Sequence, residues 1–287
     1  MNVVKMEGAG NDYALVNAFT EAVDPDASSE IARLISDRHF GIGADGLILL
    51  APPSDGVEAD ARMVMYNSDG SRAEMCGNGI RLLAKLAVDE GIVRSDEMRI
   101  ETDAGVLPIA VTRKAGVVVG ATVGMGIPRL RRSNIPMVVE GADPDARVLD
   151  EPFTLLDRTF RICAVSMGNP HAVVFLGADE PADTFPLDRY GPALERDPRF
   201  PNRVNVEIVT VRADGTLRQR TWERGAGETL ACGTGACAVA VSAILTGRAT
   251  SPVSISLRGG DLTIEWAGEG HEVVKTGPAR EVFRTTW

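Results

Sequence analysis

Short stretches in which apolar and polar residues alternate, separated by glycine-containing turns, recur along most of the chain and predict many β-strands. Residues 3–17 are typical and predict two strands joined by an Ala-Gly-Asn-Asp turn at 9–12. Residues 39–50 predict a glycine-rich turn that leads into a buried strand. Other strands are expected at 63–67, 98–101, 106–112, 117–123, 160–165, 172–176, 204–211, 217–222, 253–257, 262–266 and 273–275. Strands therefore make up most of the predicted fold.

Two helices are expected to be buried, and each begins just after a cysteine. Residues 236–245 are almost entirely apolar, and residues 78–90 carry a single polar stripe of Arg81, Lys85 and Asp89. A helix that is apolar on all sides must lie in a protein core. The sequence therefore predicts two central helices.

The remaining segments give weaker patterns. A helix is predicted over 26–38, capped by Asp26 or Ser28. Residues 129–152 are predicted to be irregular, and 178–201, with its prolines and charges, to be a loop with one helical turn.

The two cysteines ahead of the central helices have similar sequence settings. An aromatic residue at 66 or 222 precedes a Cys-Gly-x-Gly motif, and the two motifs are 232 − 76 = 156 residues apart. Residues 10–16 and 168–174 also match, at a spacing of 168 − 10 = 158. Two pairs of segments at nearly one spacing indicate a duplicated half-domain.

The predicted fold class is therefore α/β with mixed sheets, in two pseudo-symmetric halves. Each half is a curled β-sheet or barrel around its central helix, and the active site lies in the cleft between the halves. A linker candidate at 125–128 places the halves at residues 1–126 and 127–276.

Composition and charge limit the partners. The chain has 287 residues, enough for two domains, and a formal net charge of −10. That charge argues against nucleic acid or an anionic membrane as a partner, but local N–H donors can still bind an anionic substrate. Neither a signal peptide nor an apolar run of about 20 residues is recognised, so a cytoplasmic location is expected.

The four cysteines, at 76, 163, 232 and 237, follow no zinc-site spacing, so free thiols and no metal are expected. Free cysteine is often simply buried, and this is the interpretation of Cys163 and Cys237. For Cys76 and Cys232 the shared motif favours catalysis instead. A helix N-terminus stabilises a thiolate, so one thiolate and one thiol could flank a single carbon, removing a proton from one face and delivering one to the other.

Several motifs together carry a family resemblance. EGAGNDY at 7–13, EMCGNG at 74–79, GNPHAV at 168–173, NRVNVE at 202–207 and ACGTGACA at 231–238 resemble diaminopimelate epimerase, which interconverts LL- and meso-2,6-diaminopimelate without a cofactor. The resemblance spans nearly the whole chain and implies a C-terminal strand, near 277–287, that returns to the first half.

The resemblance also implies roles for individual residues. Cys76 and Cys232 would be the acid/base pair, with His171 and Glu223 tuning the thiols. Four residues would hold the carboxylate at the reacting end: Gly77, Asn78, Gly233 and Thr234. The substrate would be read by Asn11, Asn67, Asn169, Asn205, Glu223 and Arg224, the last two at its distal end.

The family pattern is not complete. Some members carry Gln where this chain has Gly46, so no substrate contact is carried over there. Phe283 stands where the resemblance implies an aromatic residue at a homodimer contact. A small amino acid as substrate, and no metal, pyridoxal phosphate or nucleotide, are the corresponding expectations.

Two other functions remain open. A related cysteine-pair racemase of proline or hydroxyproline would typically have His where this chain has Asn78, and would not need Glu223 and Arg224. A redox-switched amino-acid-binding protein would instead join Cys76 and Cys232 in a disulfide, which requires their Cα atoms to come within about 7 Å.

Overall fold

The structure is a computed structural model that describes residues 1–177 and 179–287. Ala178, at the start of the predicted loop 178–201, lies outside the described residues. The chain divides into two compact units, Met1–Gly124 with Thr276–Trp287 (unit 1) and Met125–Lys275 (unit 2). In the described part of the chain, no helix is long and apolar enough to cross a membrane.

Unit 1 begins with strands and contains two α-helices among its described residues. Its elements are β1 (Asn2–Gly8), β2 (Asn11–Asn17), α1 (Ser28–Ser36), β3 (Gly46–Ala51), β4 (Ala61–Asn67), β5 (Arg72–Ala73), α2 (Gly79–Asp89), β6 (Glu97–Thr102), β7 (Gly105–Lys114) and β8 (Val117–Gly124). Strand β2 pairs antiparallel with β1 and parallel with β3, and β4 pairs antiparallel with β3 and β5 and parallel with β6. Antiparallel pairing continues from β6 to β7 and β8.

Unit 2 repeats this arrangement. Its elements are β9 (Val148–Leu155), β10 (Arg158–Ser166), β11 (Pro170–Phe175), α3 (Leu187–Glu195), β12 (Asn205–Val211), β13 (Leu217–Glu223), β14 (Gly227–Thr229), α4 (Gly233–Leu245), β15 (Val253–Ser256) and β16 (Asp261–Trp266). Strand β17 (Val273–Pro278) leads from unit 2 into unit 1, where β18 (Arg280–Thr286) pairs antiparallel with β1.

The duplication is visible in strand pairing and register. Strand β11 pairs antiparallel with β10 and parallel with β12, and β13 pairs antiparallel with β12 and β14 and parallel with β15. The same positions are in register across three strands of each unit: Ala14, Leu47 and Tyr66 in unit 1, and Ala172, Val206 and Trp222 in unit 2. These pairings confirm the prediction of a mixed α/β fold with two pseudo-symmetric halves.

Each unit packs its strands against one central helix. Helix α2 contacts β1, β3, β7 and β8, and α4 contacts β10, β11, β12 and β16. Helix α4 is buried from Gly235 to Ala243, as its apolar sequence requires. The polar stripe of α2 is also buried at Arg81 and Lys85, where the Lys85 Nζ donates to the Val118 carbonyl at 2.9 Å and pairs with Asp89 at 2.8 Å.

Three local predictions were wrong. Ala27 is the N-cap of α1 and makes no side-chain cap hydrogen bond, while the Ser28 hydroxyl donates to the Asp24 carbonyl instead. The segment predicted to be irregular contains the start of β9, and the predicted loop 178–201 contains α3. Helix α3 forms because Leu187, Tyr190 and Leu194 pack into the apolar cluster of unit 2, even though Pro192 lies inside the helix.

Candidate active site

Each candidate cysteine lies at the start of the central helix of its unit. Cys232 is the N-cap of α4, and its Sγ accepts a hydrogen bond from the Gly235 N–H at 3.4 Å. Cys76 lies just before α2, and its Sγ accepts from the Gly79 N–H, also at 3.4 Å. In both cases the donor is the glycine three residues further on. The two sulfur atoms therefore face the unpaired N–H groups that begin a helix.

The first half-site consists of Asn11, Tyr13, Cys76 and Asn78. The Tyr13 hydroxyl donates to Cys76 Sγ at 3.4 Å, and Cys76, as a thiol, donates to Asn11 Oδ1 at 3.7 Å. The same Asn11 oxygen accepts from Asn78 Nδ2 at 3.4 Å. Burial and the neighbouring Cys76 raise the pKa of Tyr13, so its hydroxyl keeps its proton and acts as a donor. A thiolate at Cys76 would retain two donors, Tyr13 and Gly79.

Arg81 fixes the loop that carries Cys76. Its guanidinium is fully buried and donates to the Gly77 carbonyl at 2.8 Å, to Asn78 Oδ1 at 2.9 Å and to the Pro278 carbonyl at 3.3 Å. A planar guanidinium can hold several acceptors in fixed directions at once. Gly77 and Asn78, two of the predicted carboxylate-binding residues, are therefore held by a side chain from the helix that follows them.

An acidic residue orients Asn11 from the other side. Asp45 Oδ2 accepts from Asn11 Nδ2 at 2.5 Å and from the Asp12 N–H at 3.0 Å. Arg38 pairs with both Asp45 and Asp12, and Lys5 pairs with Asp12. The amide of Asn11 is therefore held with its oxygen towards Cys76.

Gly46 leaves no space for a side chain. A Cβ atom at this position would lie 2.2 Å from the Tyr66 carbonyl oxygen and 3.2 Å from Cε1 of Tyr13. The ring of Tyr13 thus borders Gly46 directly. This close packing explains why the chain has glycine there.

The second half-site consists of Asn169, His171, Glu207, Cys232 and Thr234. His171 and Glu207 are fully buried, with 2.8 Å between Nδ1 and Oε1, and His171 Nε2 lies 3.1 Å from Asn169 Oδ1. Asn169 Nδ2 donates to Thr234 Oγ1 at 3.3 Å, and that hydroxyl lies 3.5 Å from Cys232 Sγ. A chain of hydrogen bonds therefore links Glu207 to the candidate catalytic sulfur.

Burial favours the thiol form of Cys232. Burial raises the pKa of this thiol well above its ordinary value, and the nearby carboxyl groups of Glu223 and Glu207 raise it further, whereas hydrogen bonds from Thr234 and the Gly235 N–H lower it less. The helix N-terminus was expected to favour a thiolate here. Desolvation outweighs that effect because only 5% of Cys232 is exposed.

The predicted distal-end residues lie on the turn between β13 and β14. Glu223 Oε1 accepts from the Thr229 hydroxyl at 2.5 Å, and the exposed Arg224 donates to the Asn202 carbonyl at 2.9 Å. Asn205 binds both neighbouring loops, accepting from the Arg224 N–H at 2.8 Å and donating to the Pro170 carbonyl at 3.1 Å. The structure thus brings together three predicted residues around this turn, Asn205, Glu223 and Arg224, whereas Gly233 is the first residue of α4, next to Cys232.

Asn67 makes no hydrogen bond to another predicted site residue among the described contacts. It ends β4 opposite Gly46, and its Nδ2 donates to Ser71 Oγ at 2.9 Å within its own turn. Among the described contacts, its side chain makes no hydrogen bond to the first half-site around Cys76.

One cluster has atoms suited to metal ligation. A ring nitrogen of His171, a carboxylate oxygen of Glu207 and Cys232 Sγ lie within 4.8 Å of one another. These are zinc-ligand types. His171 and Glu207 point these atoms at each other, however, so we assign them to hydrogen bonding and not to metal ligation.

Comparison with known proteins identifies the family. The sequence matches the family model described as diaminopimelate epimerase over residues 3–130 and 163–282. The chain belongs to the diaminopimelate epimerase family. The diaminopimelate epimerase of Moorella thermoacetica is 48% identical over 284 residues, covering 99% of this chain and 98% of its own. That of Desulfovibrio desulfuricans is 47% identical over 285 residues, covering 99% and 96%.

A solved structure shares the fold at much lower identity. A probable proline racemase from Agrobacterium radiobacter superposes with a TM-score of 0.67 at 17% identity, covering 100% of this chain and 92% of the racemase. At this identity the match establishes a common fold for this chain and the racemase, and no more.

Four residues that contact the candidate site were not predicted from the sequence of this member of the diaminopimelate epimerase family: Tyr13, Asp45, Arg81 and Glu207. Tyr13 and Glu207 each end a motif, EGAGNDY and NRVNVE, so their proximity to the site was available as a signal. Arg81 lies in a stripe whose spacing is equally typical of an exposed helix face.

Proposed function

We propose that the protein catalyses the cofactor-independent epimerisation of LL-2,6-diaminopimelate to meso-diaminopimelate, and is therefore an isomerase of lysine and peptidoglycan-precursor biosynthesis. One observation carries this proposal. Two copies of one topology each place a cysteine before the central helix, with Sγ accepting the N–H of the glycine three residues later. Such equivalent thiols suit a reaction in which one group removes a proton and the other returns one.

In the proposed mechanism Cys76 acts as the thiolate and Cys232 as the thiol for the LL substrate. The Cys76 thiolate would take the proton from the α-carbon, and Cys232 would deliver its own proton to the opposite face, leaving Cys76 as the thiol and Cys232 as the thiolate. Two donors, Tyr13 and the Gly79 N–H, support a negative charge on Cys76. The raised pKa of Cys232 keeps that group protonated until the carbanion forms.

The carbanion needs stabilisation that the helix N-termini could supply. We propose that the N–H groups at Gly77 and Asn78, and at Gly233 with the Thr234 hydroxyl, bind the α-carboxylate. Hydrogen-bond donors that already face the developing negative charge lower the activation barrier, because they need not reorient during the reaction. Asn11 and Asn169 would bind the reacting amino acid, and their hydrogen bonds to Cys76 and Thr234 support this role.

The distal end of diaminopimelate is the proposed basis of specificity. It carries a second amino group and a second carboxylate, which we assign to Glu223 and Arg224, with Asn67 and Asn205 as further substrate contacts. The exposed Arg224 side chain has donors to spare for a carboxylate. Glu223 would in addition influence Cys232, whose pKa it raises.

The broader assignments follow the same proposal. We propose a cytoplasmic homodimer that binds a small amino acid and uses no metal or organic cofactor. Val282 and Phe283 on β18 are 50% and 43% exposed, and Trp287, which follows β18, is 42% exposed, so this strand offers an apolar surface for a second copy. Light scattering should give twice the 30.5 kDa chain mass.

A cysteine-pair racemase of proline type is the second candidate, because its fold is shared. Asn78, buried and bound by Arg81, stands where those enzymes typically have His. Proline has no distal charged groups to engage Glu223 and Arg224. Strong turnover of proline with none of diaminopimelate would favour this candidate over the epimerase.

The decisive experiment follows LL-diaminopimelate in D₂O by NMR with dithiothreitol present. Deuterium at one α-carbon together with formation of the meso isomer is expected. Cys76→Ala and Cys232→Ala should each reduce epimerisation by at least about 10²-fold, the usual contribution of a general acid or base. Cys163→Ala is the matched control and should stay active. A fully active Cys76→Ala or Cys232→Ala variant would contradict the two-thiol mechanism.

A further inference from the structure

Glu207 is a fully buried carboxyl group in the third position of β12. Its Oε1 faces His171 Nδ1 at 2.8 Å, and its Oε2 has no hydrogen-bond partner among the described residues. Burying a carboxyl group with one oxygen unsatisfied costs folding free energy. A methionine of similar size would avoid that cost but would leave His171 Nδ1 without a partner, so the bond to the ring is what a glutamate adds here.

The first turn of α4 is shaped to admit this carboxyl group. A Cβ atom at Gly235 would lie 2.5 Å from Glu207 Oε1 and 3.2 Å from its Cδ. Gly235 is also the residue whose N–H binds Cys232 Sγ. The carboxyl group therefore packs against the same helical turn that holds the candidate catalytic sulfur.

The hydrogen bonds determine which protons His171 carries. Asn169 Nδ2 donates to Thr234, so the atom that faces His171 Nε2 is the amide oxygen, an acceptor. Nε2 must therefore carry hydrogen. One further proton then lies between Nδ1 and Glu207 Oε1, either on the carboxyl group or on the ring. Both arrangements leave the His171–Glu207 pair without net charge.

Burial favours the arrangement in which the carboxyl group holds this proton. Desolvation raises the pKa of Glu207, the charge and hydrogen bond of His171 oppose the rise, and the neighbouring Glu223 adds to it. A neutral carboxylic acid donates to a bare Nδ1 and leaves Nε2–H free to bind Asn169.

We propose that Glu207 is a positioning residue for the second half-site: through its hydrogen bond to Nδ1 it keeps the Nε2–H of His171 on Asn169, and so holds the Asn169 NH₂ group towards Thr234 and Cys232. This inference rests on the proposed function, because Asn169 and Thr234 are substrate contacts only there. Glu207 itself does not touch the substrate.

Two substitutions at Glu207 separate hydrogen bonding from charge. Glu207→Gln can still donate an amide N–H to Nδ1 and should retain most of the epimerase activity. Glu207→Met fills the same space without a donor, so the His171 ring and the Asn169 amide lose their fixed orientation. Its kcat/KM should fall by about 10- to 100-fold, as expected for a misplaced site group.

Folding stability is a second readout, which a merely structural role would lower together with activity. Glu207→Met removes a carboxyl group with an unsatisfied oxygen but leaves the buried His171 Nδ1 without its partner, and these effects on stability oppose each other. Its urea midpoint should therefore stay near that of the wild type while its activity falls. Gln219→Met is the matched control. Gln219 is also fully buried, on β13, and its Oε1 likewise lacks a hydrogen-bond partner among the described residues. This variant should keep full activity.

The result that would overturn the proposal is equally specific. A fully active Glu207→Met variant, a Glu207→Gln variant as impaired as Glu207→Met, or activity lost only in proportion to stability would each contradict it.

A measurement without substrate keeps this proposal separate from the proposed function. Nitrogen-15 NMR of the imidazole groups distinguishes a protonated from a bare Nε2, and the chain has only three histidines, so His171→Gln assigns the signal. A protonated Nε2 at neutral pH is expected in the wild type and in Glu207→Gln. A bare Nε2 in the folded wild type would overturn the positioning role. If Nε2 is protonated but the protein does not turn over diaminopimelate, the proposed substrate is wrong and the positioning role stands.

Discussion

Cys76 and Cys232, the two residues on which the proposed chemistry depends, lie in different environments. Cys76 is partly exposed and receives hydrogen bonds from a hydroxyl and a backbone N–H, whereas Cys232 is buried beside two carboxyl groups. Equivalent positions in a duplicated fold have thus acquired unequal surroundings. Such inequality lets one thiol and one thiolate coexist before the substrate binds.

We therefore predict that alkylation is selective at the level of single residues. Iodoacetamide should modify Cys76 first in the substrate-free protein at neutral pH, because Cys232 is 5% exposed and its raised pKa leaves little thiolate. Peptide mass mapping over time gives the order. Cys163 serves as an internal control, since burial raises its pKa to about 11 and it is fully buried. Faster labelling of Cys232 than of Cys76 would reverse the proposed roles.

The sequence identified the two candidate cysteines but not the side chains that position the residues around them. Cys76 and Cys232 stand out because a repeated motif surrounds both. Arg81 and Glu207 lie in no such repeated motif, and a charged residue in a helix or strand is most often exposed, so only the NRVNVE motif pointed to the region of Glu207. Their burial depends on partners that are distant in the chain, such as the Pro278 carbonyl for Arg81 and His171 for Glu207. Local pattern cannot report such contacts.

At the scale of secondary-structure elements, α3 is the part that sequence reasoning missed and that supports the proposed specificity. Its last residue, Glu195, accepts from Trp222 Nε1 at 2.9 Å and from the Gly225 N–H at 3.0 Å, and so holds both sides of the Glu223–Arg224 turn. Gly191 lets the helix approach, since a Cβ atom there would lie 2.7 Å from Trp222 Cδ2. The prolines and charged residues of this segment are typical of a loop, so the sequence did not predict the helix. The strands were predictable because the alternation of apolar and polar residues is a local pattern.

We predict that Glu195→Gln weakens binding of the distal end of the substrate. A glutamine has one acceptor oxygen for two N–H donors, so one of the bonds to the turn is lost. The KM for diaminopimelate should rise by about tenfold, the equivalent of one hydrogen bond, with a smaller change in kcat.

Glu180→Gln is the matched control for this test, because Glu180 pairs with the partly exposed Arg158 and does not contact the turn. Its KM should equal that of the wild type. A Glu195→Gln variant with unchanged KM and reduced kcat would show that the turn does not bind substrate.

At the scale of the whole molecule, stability and the site share ionic contacts. Asp12 follows Asn11 and pairs with the buried Lys5 and with Arg38. Burial alone would raise the pKa of Asp12, but hydrogen bonds and charges from Arg38 and Lys5 together hold it below the usual value. A carboxyl group with a lowered pKa stabilises the folded state fully above its unfolded pKa of about 3.9, and this contribution is lost as the pH falls through the lower folded value.

Asp12→Asn should therefore lower the free energy of unfolding at pH 7 by about 1 to 3 kcal/mol, because Lys5 keeps a buried charge and loses its ionic partner. Urea unfolding at several pH values tests this. The difference between wild type and variant should be constant above about pH 5 and should shrink below about pH 4, where acid removes the same charge from the wild type. Asp214→Asn is the control, since Asp214 is exposed and binds only Thr216 of its own turn among the described contacts. A difference that persists unchanged at pH 3 would mean that the packing of Asp12, and not its charge, stabilises the fold.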